Sequence, residues 1–268
     1  MRLHTQPKLI QRGEIDTRHV YYSVTTDNPF LPQWYIEQLK NTFTEKECRR
    51  MIYGEWLELA SEVIYYAFSD ELNVIDDYKL DRSSPIYITY DFNIGLGKPM
   101  SAALFQFING VFYFFDECVI HGSRTEDTLD DLQARELLDY SMEYVIMGDA
   151  AGKHNDTRTK RTDYSIIDNF LSKNGYRHSL NIGMSNPPVR TRHIIVNGAL
   201  KNANNETRIK IVKNRCPVLI KGLRLTKLKK GSGYIEDDSD EFQHITTAIG
   251  YAIVRLLKKK KKSSFHKY

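Results

Sequence analysis

Cysteine is scarce in this 268-residue chain: Cys48, Cys118 and Cys216 stand far apart, with no Cys-x-x-Cys pair. That spacing gives no zinc site and suits a reducing cytosol. Long apolar runs are missing as well. None approaches the roughly 18 residues of a membrane span, and the N-terminus lacks the apolar core of a signal peptide. The net charge is a modest +4. What is present is ordinary globular material, with 41% hydrophobic, 12% aromatic and 27% charged residues. It suffices for a sizeable core in one large domain, or one domain with an appendage.

The charge is unevenly spread. Thr207 to Lys230 holds nine Lys or Arg and no acid, and Lys258 to Lys262 is unbroken lysine. Glu126 to Asp139 carries six acids against Arg135. Segregated basic stretches suit a polyanion, with Lys210, Lys213, Lys221, Arg224 and Lys227 as candidate contacts. The competing reading is a solvated helix face plus a solubilising tail.

The first 75 or so residues differ from the rest. A turn cluster at Asp27-Asn28-Pro29-Phe30-Leu31-Pro32 precedes Trp34, Ile36, Leu39 and Phe43 at near-helical spacing. A second helical stretch starts at Glu45 and ends near Gly54-Glu55-Trp56, and Ile64 to Phe68 reads as a short extended segment. This is a helical connector that packs on something else. From Pro85 the pattern turns to strands: Ile86 to Ile94, Met100 to Ile108 and Val111 to Ile120, with Asn109-Gly110 a hairpin signal. A helix over Leu129 to Tyr140, a strand ending at Asp149, a helix over Asp163 to Asn174 and a strand at His178 to Ile182 follow. Beyond them come a helix over Thr191 to Lys201, a strand at Arg208 to Val212, a helix opening at Cys216-Pro217 and a last helix from Glu241 to about Leu257.

Two carboxylates stand out. Asp91 interrupts the apolar run Ile86 to Phe92, and Asp149 ends Tyr144-Val145-Ile146-Met147-Gly148. Buried carboxylates are rare unless paired or bound to metal. Each alone also fits a strand cap. Three antiparallel strands, helix, strand, helix, strand, helix is the order of the ribonuclease H-like fold, an α/β architecture with a mixed central sheet flanked by helices. That order sets Asp91 beside Asp149, as two-metal phosphoryl chemistry needs.

The chain resembles the nuclease portion of the tailed-phage terminase large subunit. The likeness rests on Thr26 to Pro32, Tyr53-Gly54-Glu55-Trp56, Tyr90-Asp91-Phe92-Asn93, Phe115-Asp116-Glu117 and Met147 to Gly152. It continues through Arg208 to Ile211, Cys216-Pro217 and His244 to Tyr251. The resemblance implies a ribonuclease H-like nuclease at 76–257, following a connector at 1–75 that trails a motor region, with a basic tail at 258–268. It implies cleavage of double-stranded viral DNA during genome packaging, in host cytoplasm, with a pair of Mg2+ or Mn2+ ions. The implied partners are DNA, the terminase ATPase region, the small terminase subunit and the portal, with no membrane.

Asp91 and Asp149 carry over as the first two metal ligands, and Glu117 as an accessory carboxylate. The third acid of the family stands in His-x-x-Asp-Ala, where this chain has His244-Ile245-Thr246-Thr247-Ala248. Thr247 replaces the aspartate. Positions i, i+3 and i+4 share a helix face, which leaves His244, or Asp240 one turn earlier, to complete the site.

Two other functions compete. Gly95-Leu96-Gly97-Lys98 has part of a phosphate loop, but Pro99 supplies no metal-binding hydroxyl, so an ATPase is not expected here. With its third aspartate missing, the chain also fits a catalytically impaired DNA-binding or docking module.

Overall fold

The computed structural model describes residues 2–3, 21–55, 63–93, 97–154, 161–232, 234–237 and 241–263. A two-residue pairing of β1 (Arg2–Leu3) with β2 (Tyr21–Tyr22) stands apart from the main sheet. Two helices follow, α1 (Gln33–Thr42) and α2 (Glu45–Tyr53). The Thr44 hydroxyl caps α2 by accepting from Glu47 N, and Gly54 ends it in the left-handed region. Then come α3 (Asp70–Asn73) and β3 (Val74–Ile75), neither evident in the sequence.

The main sheet continues with β4 (Ile86–Asp91), β5 (Pro99–Ile108) and β6 (Val111–His121). After α4 (Thr125–Ala134) come β7 (Glu143–Gly148), α5 (Asp163–Lys173) and β8 (Arg177–Leu180). The chain closes with α6 (Val189–Leu200), β9 (Ile209–Val212), α7 (Pro217–Leu225) and α8 (Gln243–Ser263). Among the described residues the sheet has seven strands in the order β3-β9-β6-β5-β4-β7-β8. The β4-β5-β6 meander is antiparallel, and β7 runs parallel beside β4. Asn109 and Gly110 both take positive φ, as the two-residue hairpin turn requires.

Strand alternation sorts the side chains into two layers. Ile86, Ile88 and Tyr90 enter a core with Leu129 and Leu132 of α4 and Tyr164, Ile167 and Leu171 of α5. Ala103, Phe105, Met147 and Ile211 enter the other, with helices α6, α7 and α8. Thr89 belongs to this second face, where its hydroxyl donates to Ala248 O of α8 at 2.7 Å. Asp91, two residues on, shares that face.

Three expectations shift. The α4 helix begins one turn before Leu129 and stops at Ala134, because Glu136 turns to positive φ. Ile64 and Tyr65 form no strand; they are buried in the main core, so the connector joins the fold there. The connector helices also dock closely: a Cβ on Gly198 of α6 would lie 2.0 Å from Thr42 O at the end of α1. Finally, α8 does not stop at Leu257 but runs through the lysines to Ser263. Among the described residues no helix is long and apolar enough to cross a membrane.

Candidate active site

The site lies where β4 and β7 end side by side. Tyr90 pairs with Gly148 in parallel register, and Asp149 N donates to Tyr90 O at 3.0 Å. Gly148 makes the approach feasible: its φ is +137°, and a Cβ there would lie 2.3 Å from Tyr90 O. Asp91 and Asp149 are thus neighbours on the α8 face, and both are buried.

Each carboxylate is oriented through one oxygen. Asp91 Oδ2 accepts from Asn93 Nδ2 at 2.9 Å and lies 3.0 Å from His244 Nδ1. Asp149 Oδ1 accepts from Ala151 N at 2.7 Å and from Asn186 Nδ2 at 2.6 Å. Asn186 also accepts from Ala150 N at 2.8 Å, which clamps the turn after β7. Among the described residues no Lys or Arg pairs with either acid, and Asp91 Oδ1 and Asp149 Oδ2 receive no hydrogen bond. Buried carboxylate oxygens left open in this way suit a hard divalent cation. The set is small, however: among the described residues no group of three His, Cys, Asp or Glu side chains is arranged to hold a metal. The donor type fits such an ion; the remaining coordination positions would fall to water and phosphate.

His244 stands beside Asp91, and Asp240 lies outside the described residues. Thr247, one turn along α8, donates to Glu236 Oε2 at 3.1 Å. Glu236 in turn accepts from Arg192 Nη2 and pairs with His193 Nε2, each at 2.6 Å. The Arg192 side chain runs against Gly250 and sits over the Tyr251 ring. Tyr251 links this network to the site: burial, then the charge of Asp91, raise its pKa, with Asp149 and Glu236 adding to the rise and Arg192 opposing it. Sequence reading missed Asn93, Asn186 and the Arg192–Glu236–His193 cluster. Asn93 alone left a signal, its place two residues after Asp91.

Glu117 is buried rather than solvent-facing, and both its oxygens are taken. Oε1 accepts from Val218 N at 2.6 Å and Oε2 from Leu219 N at 2.8 Å, in the first turn of α7. It caps that helix. Burial pushes its pKa up to about 7, outweighing the two N–H bonds that lower it. A carboxyl raised in this way adds stability that is full below its ordinary value of 4.5 and lost as pH rises through about 7. Glu117→Gln should flatten that part of the stability–pH curve and cost about 1–3 kcal/mol through the lost capping acceptor. Thermal melts from about pH 4 to pH 8 test it; a variant curve parallel to wild type would contradict it.

The basic stretch is partly spent on the fold. Lys210 Nζ donates to Leu72 O at 2.6 Å, and Arg224 pairs with Asp70, so both brace α3. Lys221 Nζ sits 5.1 Å from the centre of the Phe242 ring, Lys213 is exposed beyond β9, and Lys227 is exposed and pairs with Val63 in an isolated antiparallel bridge. Strand β9 is separated from β4 by β6 and β5.

No protein-family model and no curated protein sequence matches the chain. Solved structures do. The large terminase of a thermophilic bacteriophage superposes with a TM-score of 0.64 at 17% identity, over 87% of this chain and 54% of that one. The same terminase in complex with ATP-gamma-S gives 0.63 at 17%, over 87% and 55%. The nuclease domain of the P22 large terminase gives 0.53 at 11%, over 74% of this chain and 95% of that one. The chain therefore has the ribonuclease H-like fold of a large-terminase nuclease domain, and it spans about half the length of the thermophilic phage's terminase.

Proposed function

We propose that this chain is a divalent-metal-dependent endonuclease that cuts double-stranded viral DNA during genome packaging. The observation that carries the reading is the pair of buried carboxylates at adjacent parallel strand ends, each held through one oxygen with the other left open. Asp91 and Asp149 would hold the ion or ions. A divalent ion bound there supplies Lewis acidity toward a phosphate oxygen and lowers the pKa of a bound water. The chain's own groups do the positioning: Asn93 and His244 fix Asp91, while Asn186 and the Ala151 N–H fix Asp149. No covalent nucleophile is needed. The terminase motor region, the small subunit and the portal are the proposed partners.

Thr247 in place of a carboxylate favours the second reading, a DNA-binding module with little or no cleavage. A plasmid assay separates them. Supercoiled DNA incubated with Mg2+ or Mn2+ should be nicked and linearised, and EDTA should stop the reaction. No cutting with either ion would leave the binding module, and cutting in EDTA would remove the metal-dependent reading.

A further inference from the structure

A cleft of about 390 Å³ opens beside Asp149, between the 183–188 loop and the outer turns of α8. Gly148 and Asn186 form its inner end, so it is continuous with the candidate active site. Tyr251, Val254, Met184, Pro187 and Pro188 make its walls apolar, and Arg255 and Lys258 add the charge. No acid lines it. Arg255 holds the loop base by donating to Asn181 Oδ1 at 2.7 Å and Ile182 O at 2.9 Å. Lys153 reaches the loop from the other side, donating to Gly183 O at 2.8 Å. Among the described residues, Lys153, Arg255 and Lys258 have no carboxylate within ion-pair distance. Within the described residues their charge is not paired, unlike that of Arg224 with Asp70 or of Arg215 with buried Asp116.

We propose that this cleft is the subsite for the DNA strand next to the scissile phosphate, an inference that rests on the nuclease reading. The backbone phosphates would face Lys153, Arg255 and Lys258, and a sugar and base would lie against Met184 and Pro187–Pro188. Three features favour this occupant: an acid-free lining that carries Arg255 and Lys258, apolar walls sized for a nucleotide, and an end formed by Gly148 and Asn186, the chain neighbour and hydrogen-bond partner of Asp149. The same placement gives Lys258 of α8 a defined role. Because α8 is helical through Ser263, its lysine run extends from the cleft mouth on a continuous helix. The basic stretch on β9 and α7 would then contribute little to binding near the cut.

The test uses the whole protein and a fluorescein-labelled DNA duplex in EDTA, where binding is read by anisotropy without cleavage. Lys153→Gln combined with Lys258→Glu should weaken binding about tenfold or more and lower the salt slope by about two, whereas Lys213→Glu with Lys221→Glu should change it less than about twofold. Met184 is 98% exposed at the loop tip, so Met184→Cys carrying a benzophenone should crosslink to the duplex. Unchanged affinity in the cleft variant, or a larger loss in the Lys213/Lys221 variant, overturns the subsite. A wild type that cleaves plasmid while the cleft variant binds normally leaves the nuclease reading intact and removes only this inference. A wild type that neither binds the duplex nor cuts plasmid with Mg2+ or Mn2+ removes both, and one that cuts plasmid but does not bind in EDTA overturns the subsite alone.

Discussion

Asp91→Asn is expected to reduce Mg2+-dependent plasmid cleavage by about a hundredfold or more, since changing even an outer-shell partner of a metal site costs about 10–100-fold. The amide is nearly isosteric, keeps a hydrogen-bonding oxygen for Asn93 and removes a buried charge. Folding should therefore survive, and the thermal midpoint should stay within a few degrees. Asp149→Asn should be equally inactive for the same reason. On the proposed function the two acids hold one site, so the double variant should be no worse than either single one. Asn186→Ala should lose less, because Asp149 keeps the Ala151 N–H and its place on the strand. Initial rates of supercoiled-plasmid nicking, with circular dichroism as the folding control, decide the matter. An Asp91→Asn protein that cuts at the wild-type rate would remove Asp91 from the site.

Glu236→Gln should unfold the protein more easily than any change at Asp91 or Asp149. Arg192 is only 4% exposed and Glu236 is its carboxylate partner. Breaking one side of such a pair strands a buried charge, at a cost of about 3–5 kcal/mol. For a chain of this size that corresponds to a fall of roughly 10 °C in thermal midpoint. Burial pushes the Glu236 pKa up, but His193 and Arg192 together overcome it and bring it down to about 2. A depressed carboxylate contributes its stability above the ordinary value of 4.5 and loses it as pH falls toward 2. The wild type should therefore lose its advantage over Glu236→Gln across that acid window. Equal midpoints at neutral pH would contradict the assignment. The same network bears on Thr247: an aspartate there would face Glu236 in place of a donating hydroxyl, so restoring the carboxylate alone would set two like charges together.

Local rules carried the reading far, and particular residues show where they stopped. The Asn109-Gly110 turn, the parity that sets Thr89 and Asp91 on one face, and the turn after Gly148 all depend on neighbours within a few positions. They were legible. Glu117 was not: its partners lie 101 and 102 positions away, and only the packing of α7 against β6 makes it a helix cap. The lysine run reads as a tail by composition, yet α8 carries its helical geometry through it.

The sequence by itself determined the β4-β5-β6 meander, most of the helices and strands after it, and the shared face of Thr89 and Asp91, because side-chain periodicity and turn chemistry are short-range. The mixed sheet and the adjacency of Asp91 and Asp149 followed from the ribonuclease H-like order that these elements match. Only the tertiary structure decided which polar groups are spent on the fold and which stay open. Asn186 clamps Asp149 across 37 positions, Arg192 meets Glu236 across 44, and Lys210 is tied to Leu72. Burial makes those partnerships obligatory, since a buried charge or donor must be satisfied by whatever the packing brings near, and no local pattern records what that will be.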